Sequence, residues 1–276
     1  MGVIALTAMS ASLSAGSLDA ILQPRTVQGF ARYAASLAAR IDQELRADAP
    51  FLEIDRQPVV QRARSLAALH RSEVIVSQAV ARDGATSEIE IDGGMINHWR
   101  GTALIPKLPL DVLMRTLHEP QPGAHKQEDV LSTRVVRTGE GSQKLYLRLR
   151  RTKFVTVVYD TEYDTNYRRL TPDRAVSQTL STRIVEIEHA GTSQERALPE
   201  GRDRGYVWRL YSYWRFQQSG DDVIIQVESL TLSRKLPTLI GPLIRPLINK
   251  TARESMTRTL NSMRARFASR PLTADH

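Results

Sequence analysis

The spacing of apolar positions divides the chain into a helical front, a long alternating middle and a helical end. Val27, Phe30, Ala34, Leu37, Ile41 and Leu45 recur every three to four residues, which predicts an amphipathic helix over Thr26 to Leu45, with a shorter one over Val59 to Leu69. From Ser72 the period falls to two. Val74 and Val76 mark a first strand and Asp83-Gly84 a turn; Asp92-Gly93-Gly94 is a second turn before Met95 to Ile105. Pro106 and Pro109 end that strand, and Leu110, Leu113, Met114 and Leu117 predict one short helix. Alternating runs then follow at Val130 to Arg137, Lys144 to Arg150, Phe154 to Tyr167, Ala175 to Glu188, Tyr206 to Gln217 and Val223 to Ser233. Beyond Pro237, Pro242 and Pro246, a stripe of Ala252, Met256, Leu260, Met263 and Phe267 predicts a final helix of roughly 18 residues from about Thr251. A sheet and a helix that each have one apolar face bury it against each other, so the pattern predicts an α+β domain with the last helix laid along an antiparallel sheet.

The order of these features resembles the START/polyketide-cyclase group, the SRPBCC superfamily with its helix-grip fold. The resemblance covers about Ser72 to Phe267. It is carried by His98-Trp99-Arg100-Gly101 running to Ile105-Pro106, by Asp129-Val130-Leu131-Ser132, by Gly205 to Arg215 and by Ser229 to Pro237 with the terminal helix. The resemblance implies a curved antiparallel β-sheet wrapped around a long C-terminal α-helix, with extra N-terminal helices. It also implies a cavity for a lipid, polyketide or other hydrophobic small molecule, and it transfers no catalytic residue. The expected organisation is a leader over 1–17, a helical extension over 18–71, the helix-grip domain over 72–268 and a tail over 269–276.

Strand alternation assigns faces. In Tyr206 to Gln217 one parity gathers Tyr206, Trp208, Leu210, Ser212, Trp214 and Phe216, and this set is expected to face inward. Trp99, Leu147 and Ile225 face inward from their strands by the same rule, opposite Met256 and Leu260 of the last helix. These residues fit two readings. One is a close-packed core; the other is the aromatic wall of an apolar pocket with a few polar handles.

Charge changes the picture at one end only. Of the net charge of +8, all is accounted for by Arg234 to Arg270, where nine basic residues face a single acid, Glu254. The remainder is balanced, which argues against nucleic acid as a partner. Arg245, Lys250, Arg253 and Arg258 of the basic segment are candidates for docking on an anionic membrane surface, set against simple solvation. Met1 to Ala15 is uncharged, apolar over Val3 to Met9 and then rich in Ser and Ala, like a signal peptide lacking its basic start. A periplasmic or secreted location is expected, with a disordered leader on a cytoplasmic protein as the alternative.

Catalytic signatures are sparse. The chain has no cysteine and six histidines, none paired at ligand spacing, so no metal site and no cofactor is expected. No Gly-x-Ser-x-Gly elbow occurs. Asp160, Glu162, Asp164 and Asn166 alternate like a calcium loop but lack its glycine and its closing glutamate. The expectation is non-catalytic binding or transport of a lipid-like ligand. A cyclase or aromatase using the same cavity is the alternative, favoured if a buried carboxylate or Arg183 converges there with Trp208.

Overall fold

The computed structural model describes residues 20–46, 48–80, 82–83, 87–88, 91–118, 129–152, 156–235 and 241–268. The expected leader and tail lie outside them, as does the Arg245 side chain. Helix α1 spans Pro24–Glu44 and α2 spans Val59–His70. The sheet begins with β1 (Ile75–Gln78) and β2 (Gly94–Ile105), followed by α3 (Leu110–His118). Four long strands come next: β3 (Val130–Gly139), β4 (Ser142–Thr152), β5 (Thr156–Thr171) and β6 (Arg174–Glu188). Strands β7 (Arg209–Ser219) and β8 (Asp222–Arg234) complete the sheet, and α4 (Gly241–Ala268) ends the described chain.

All pairings are antiparallel, in the order β1-β2-β8-β7-β6-β5-β4-β3, with Arg196–Ala197 added at the end of β6. The sheet curves around α4, which is the helix-grip arrangement expected from the sequence. The terminal helix is longer than its apolar stripe predicts, with 28 residues starting at Gly241. Pro242 sits in its first turn, where no backbone N–H is required. Pro246 lies inside the helix and removes a donor there.

Helix α4 grips the sheet at β2. Met256, Leu260 and Phe267 pack with Trp99, Ala103, Ile105, Phe216, Val223, Ile225 and Val227 in one cluster. Gly101 makes the close approach possible: a Cβ there would meet Leu260 Cδ1 and Met256 Cγ at 2.6 Å. Three arginines add straps to backbone carbonyls. Arg253 donates to Val76 O (2.7 Å), Arg264 to Leu104 O and Ser72 O (3.0 and 2.8 Å), and Arg266 to Thr116 O (3.0 Å).

The opposite, convex face is also buried, because the N-terminal helices lie on it. Phe30, Tyr33, Leu37 and Ile41 of α1 pack on Tyr213, Leu230 and Leu232, while Phe51, Leu52, Ile54 and Leu69 cover Leu104 and Ile224. Between helices and sheet lies a network of ionised groups. Glu228 and His98 are each 2% exposed. Tyr33 O–H donates to His98 Nδ1 (2.9 Å) and His98 Nε2–H to Glu228 (2.6 Å). Arg100 (3.3 Å) and Arg40 also reach Glu228. Arg40 (2.7 Å), Arg56 (2.5 Å) and Arg215 converge on Glu44, and Arg215 further donates to Phe51 O (2.5 Å). Burial pushes the Glu228 carboxyl up, but the His98 hydrogen bond and the Arg100 charge outweigh it and hold it well below the usual carboxylate range.

A carboxylate whose acidity is raised by folding adds stability above its unfolded value, near 4.3, and that stability is lost as pH falls through the folded value. The melting temperature is therefore expected to drop as pH is lowered below about 4.3. Glu228→Gln should lose about 3–5 kcal/mol at neutral pH, since it strands buried cations, and should show a shallower acid dependence. Thermal melts across pH check both; an acid profile unchanged in the variant would contradict the assignment.

Candidate ligand-binding site

The concave face becomes legible once the register is laid out strand by strand. One row across the sheet reads Trp99, Ser229, Ser212, Thr179, Thr165, Gln143, each residue directly opposite the next. Every member after Trp99 is a neutral hydrogen-bonding side chain. The neighbouring row on one side reads Gly101, Val227, Trp214, Ser177, Tyr167. On the other side Tyr163 lies between Ser181 and Leu145. A polar band thus crosses the floor between two rows that carry aromatic rings.

Several groups of the band are already paired. Thr165 and Thr179 share a hydrogen bond of 3.1 Å between hydroxyls, and Gln143 Nε2 donates to Tyr167 OH (2.9 Å). The Tyr167 ring meets His118, at the end of α3, edge-on at 4.6 Å between centroids. Trp214 and Phe216 stack with centroids 6.1 Å apart. Trp99 Nε1–H is buried and finds no acceptor among the described residues. Ser212, Thr179, Ser229 and Trp214 are only half-buried although they lie on the face that α4 covers.

A cavity of about 550 Å³ opens at the Gln143 end of the band, lined by His118, Arg137, Gly139, Glu140, Gly141, Ser142, Gln143 and Tyr167. This volume lies within the range of small-molecule sites, roughly 300–1,000 Å³. Its lining is more polar than the sequence suggests. The Tyr167 hydroxyl is pushed up to about 12 by burial, so it remains a donor at neutral pH. Burial likewise raises Tyr159 and Tyr163, which share its face of β5.

The residues singled out from sequence fall into three groups. Trp99, Ile225, Met256 and Leu260 are packed in the main core beneath α4, with Trp214 partly buried against it and Ser212 within the polar band. Leu147 and Leu210 belong to a separate cluster around Leu149, Tyr159 and Ile184. Trp208 and Tyr206 depart from the expected inner face. Strand β7 begins only at Arg209, after a turn in which Gly205 takes a φ of +69°, so the alternation does not reach back to them. Trp208 packs with the α1 residues and donates from Nε1 to Asp203 (3.0 Å); Tyr206 is exposed, with Arg234 over its ring. Arg183 does not converge with Trp208 either, since it is exposed and pairs with Glu162 (3.3 Å).

The basic segment is also redistributed. Arg253 is held by Val76 O and lies 5.6 Å over the Trp99 ring. Lys250 and Arg258 are exposed. Burial, with a contribution from the like charge of Arg258, holds the Arg151 guanidinium below its usual value on the β4 side of the groove.

Two buried carboxylates had no signal in the sequence. Glu186 pairs with Arg204, and Asp203 accepts from Gly205 N (2.6 Å) besides Trp208. Burial raises both. Neither lines the cavity.

No family model matches the chain, and no curated protein matches it. Similar solved structures include a STAR-related lipid transfer protein from Xanthomonas axonopodis, with 15% identity over 68% of this chain and 97% of that one at a TM-score of 0.44. Human STARD10 is 13% identical over 81% and 83% of the two chains, with a TM-score of 0.43. The Zhui aromatase/cyclase from a Streptomyces species is 13% identical over 62% and 93%, with a TM-score of 0.41. These are likenesses of arrangement.

Of the eight tyrosines, Tyr159, Tyr163, Tyr167 and Tyr213 are raised by burial. A group raised by folding adds stability below its unfolded value, near 10, which is lost as pH climbs through the folded one. Ultraviolet titration should show all four phenols ionising above the ordinary tyrosine value, with Tyr167 and Tyr213 near pH 12, and stability falling above about pH 10. All eight phenols ionising near pH 10 in the folded protein would contradict their burial.

Proposed function

We propose that this chain holds a hydrophobic molecule non-covalently on the concave face of its sheet, as a carrier or sensor. The observation that carries the reading is the combination of a gripping helix packed on β2 and the core strands beside it with a floor of hydroxyl and aromatic side chains, of which Ser229, Ser212, Thr179 and Trp214 are half-buried, and a cavity of about 550 Å³ at its Gln143 end. A carrier is favoured over a cyclase-like enzyme because Glu186 and Asp203, the buried carboxylates whose pKa burial raises, hold the 202–208 segment and stand outside the cavity lining. Native mass spectrometry of the protein purified from its own host is expected to show an apolar adduct that organic extraction removes. A protein free of any adduct, and unable to take up an apolar probe after extraction, would overturn the reading.

The proposed setting is the cell envelope, in keeping with the composition of the leader. Docking on anionic lipid would fall to Lys250 and Arg258, because Arg253, Arg264 and Arg266 are engaged by backbone carbonyls. Co-sedimentation with phosphatidylglycerol-containing vesicles at low salt should weaken severalfold in the Lys250→Glu/Arg258→Glu double variant. Absence of binding by the unmodified protein would remove the docking part and leave ligand carriage standing.

A further inference from the structure

The end of the concave face around Tyr159 lies roughly 25 Å along β5 from Tyr167 of the cavity. It is closed by a segment that two carboxylates hold. Val207 and Leu210 pack against Leu149, Tyr159 and Ile184 there, Trp208 is anchored among the α1 residues, and Ala20–Ile21 pairs along Arg202–Asp203. The polar ties of the segment converge on two side chains. Glu186 accepts from Arg204 N (3.2 Å) and from the Arg204 guanidinium; Asp203 accepts from Gly205 N (2.6 Å) and Trp208 Nε1 (3.0 Å). We infer that the 199–208 segment is a pH-dependent latch, closed while Glu186 and Asp203 carry at most one negative charge between them and released when both ionise. Its role rests on the carrier reading: release opens a way into the groove.

Burial makes the second charge costly. Glu186 is 0% and Asp203 1% exposed, and Asp203 Oδ2 finds no donor among the described residues. An ionised oxygen so placed has lost its water without replacement, whereas a protonated carboxyl leaves a smaller penalty. The surrounding charges do not offset this. Arg204 serves Glu186 and is shared with Glu188 (3.5 Å), Arg234 of β8 acts on Asp203 through its charge, and Arg151 of β4, near Tyr159, pairs with Asp129. Tyr159 and Tyr206 are the phenols beside the pair. Burial raises both carboxyls, and the charge of Asp203 raises Glu186 further, against the pull of Arg204 on both and of Arg234 on Asp203. A carboxyl raised by folding costs the closed latch nothing below its unfolded value, near 4, and progressively more as pH climbs from there to the folded value. The latch is therefore tight in acid and loosens as pH rises.

Hydrogen exchange of the full chain, read by mass spectrometry and corrected for intrinsic rates, tests the latch without any ligand. Between about pH 5 and pH 8, opening of the peptides that cover 20–22 and 199–208 is expected to increase roughly tenfold, while the β2 and β8 peptides hold their protection. Asp203→Asn keeps the acceptor for Gly205 and Trp208 but cannot ionise, so it should flatten the dependence. Glu186→Gln acts at the other anchor, should do the same, and serves if the first variant fails to fold. Opening that ignores pH in the unmodified protein, or a dependence that both variants retain, would overturn the inference. Uptake of Nile red by the extracted protein should be faster at the higher pH, and equally fast at both in Asp203→Asn. Exchange that responds to pH while uptake keeps one rate would overturn the latch as an entrance. No uptake at either pH, with the exchange response intact, would sink the carrier reading and leave the latch standing.

Discussion

The buried carboxylate of Glu228 is the constraint around which the molecule is arranged. An ionised group in the interior is tolerated only when hydrogen bonds and opposite charges replace its lost hydration. Here His98, Arg100 and Arg40 do so, the first two from the adjacent strand β2 and the third from α1. Arg40 also holds Glu44, which in turn engages Arg56 and Arg215, so the charge network joins α1 to both β2 and β7 on the convex face. In a low-dielectric layer such pairs are strong when satisfied and costly when broken.

Closing the convex side has a consequence for the concave one. With α1, α2 and the segment around Phe51 covering the outer face, strands β2 and β8 are buried on both sides, as the unbroken buried runs Gly101–Ile105 and Val223–Glu228 record. The sheet around β2 is thereby buried on both faces, and α4 packs against it closely at Gly101. Farther from β2 the floor turns polar, half-buried at Ser229, Ser212 and Thr179 and buried at Thr165 and Gln143. One half of the grip serves as core and the other as a groove.

How much of this the sequence discloses depends on the range of the interaction. Strand and helix positions follow from local periodicity, and so does the inner face of Trp99, Trp214, Ile225, Met256 and Leu260. Trp208 escapes because it follows the turn at Gly205 and lies one residue before the strand begins at Arg209. The polar band escapes for a different reason. Ser229, Thr179, Thr165 and Gln143 are individually unremarkable, and they line up only when the register of five pairings is known, including the irregularity between Glu162 and Tyr163. The convex burial had a readable trace in the contiguous Val223-Ile224-Ile225, since a strand apolar on both faces is one covered on both sides. His98 faces away from α4, and only the docking of α1 makes that side an interior.

The central claim is that the half-open part of the concave face is where a ligand resides. Photo-crosslinking with a diazirine-bearing long-chain alcohol, followed by peptide mapping, tests it most directly. The account requires adducts on the β4, β5 and β7 peptides that contain Gln143, Tyr167 and Ser212, competed away by an unlabelled apolar alcohol. Labelling confined to the outer surface, for example to Val59 and Val60, which are 85% and 65% exposed at the start of α2, would contradict it.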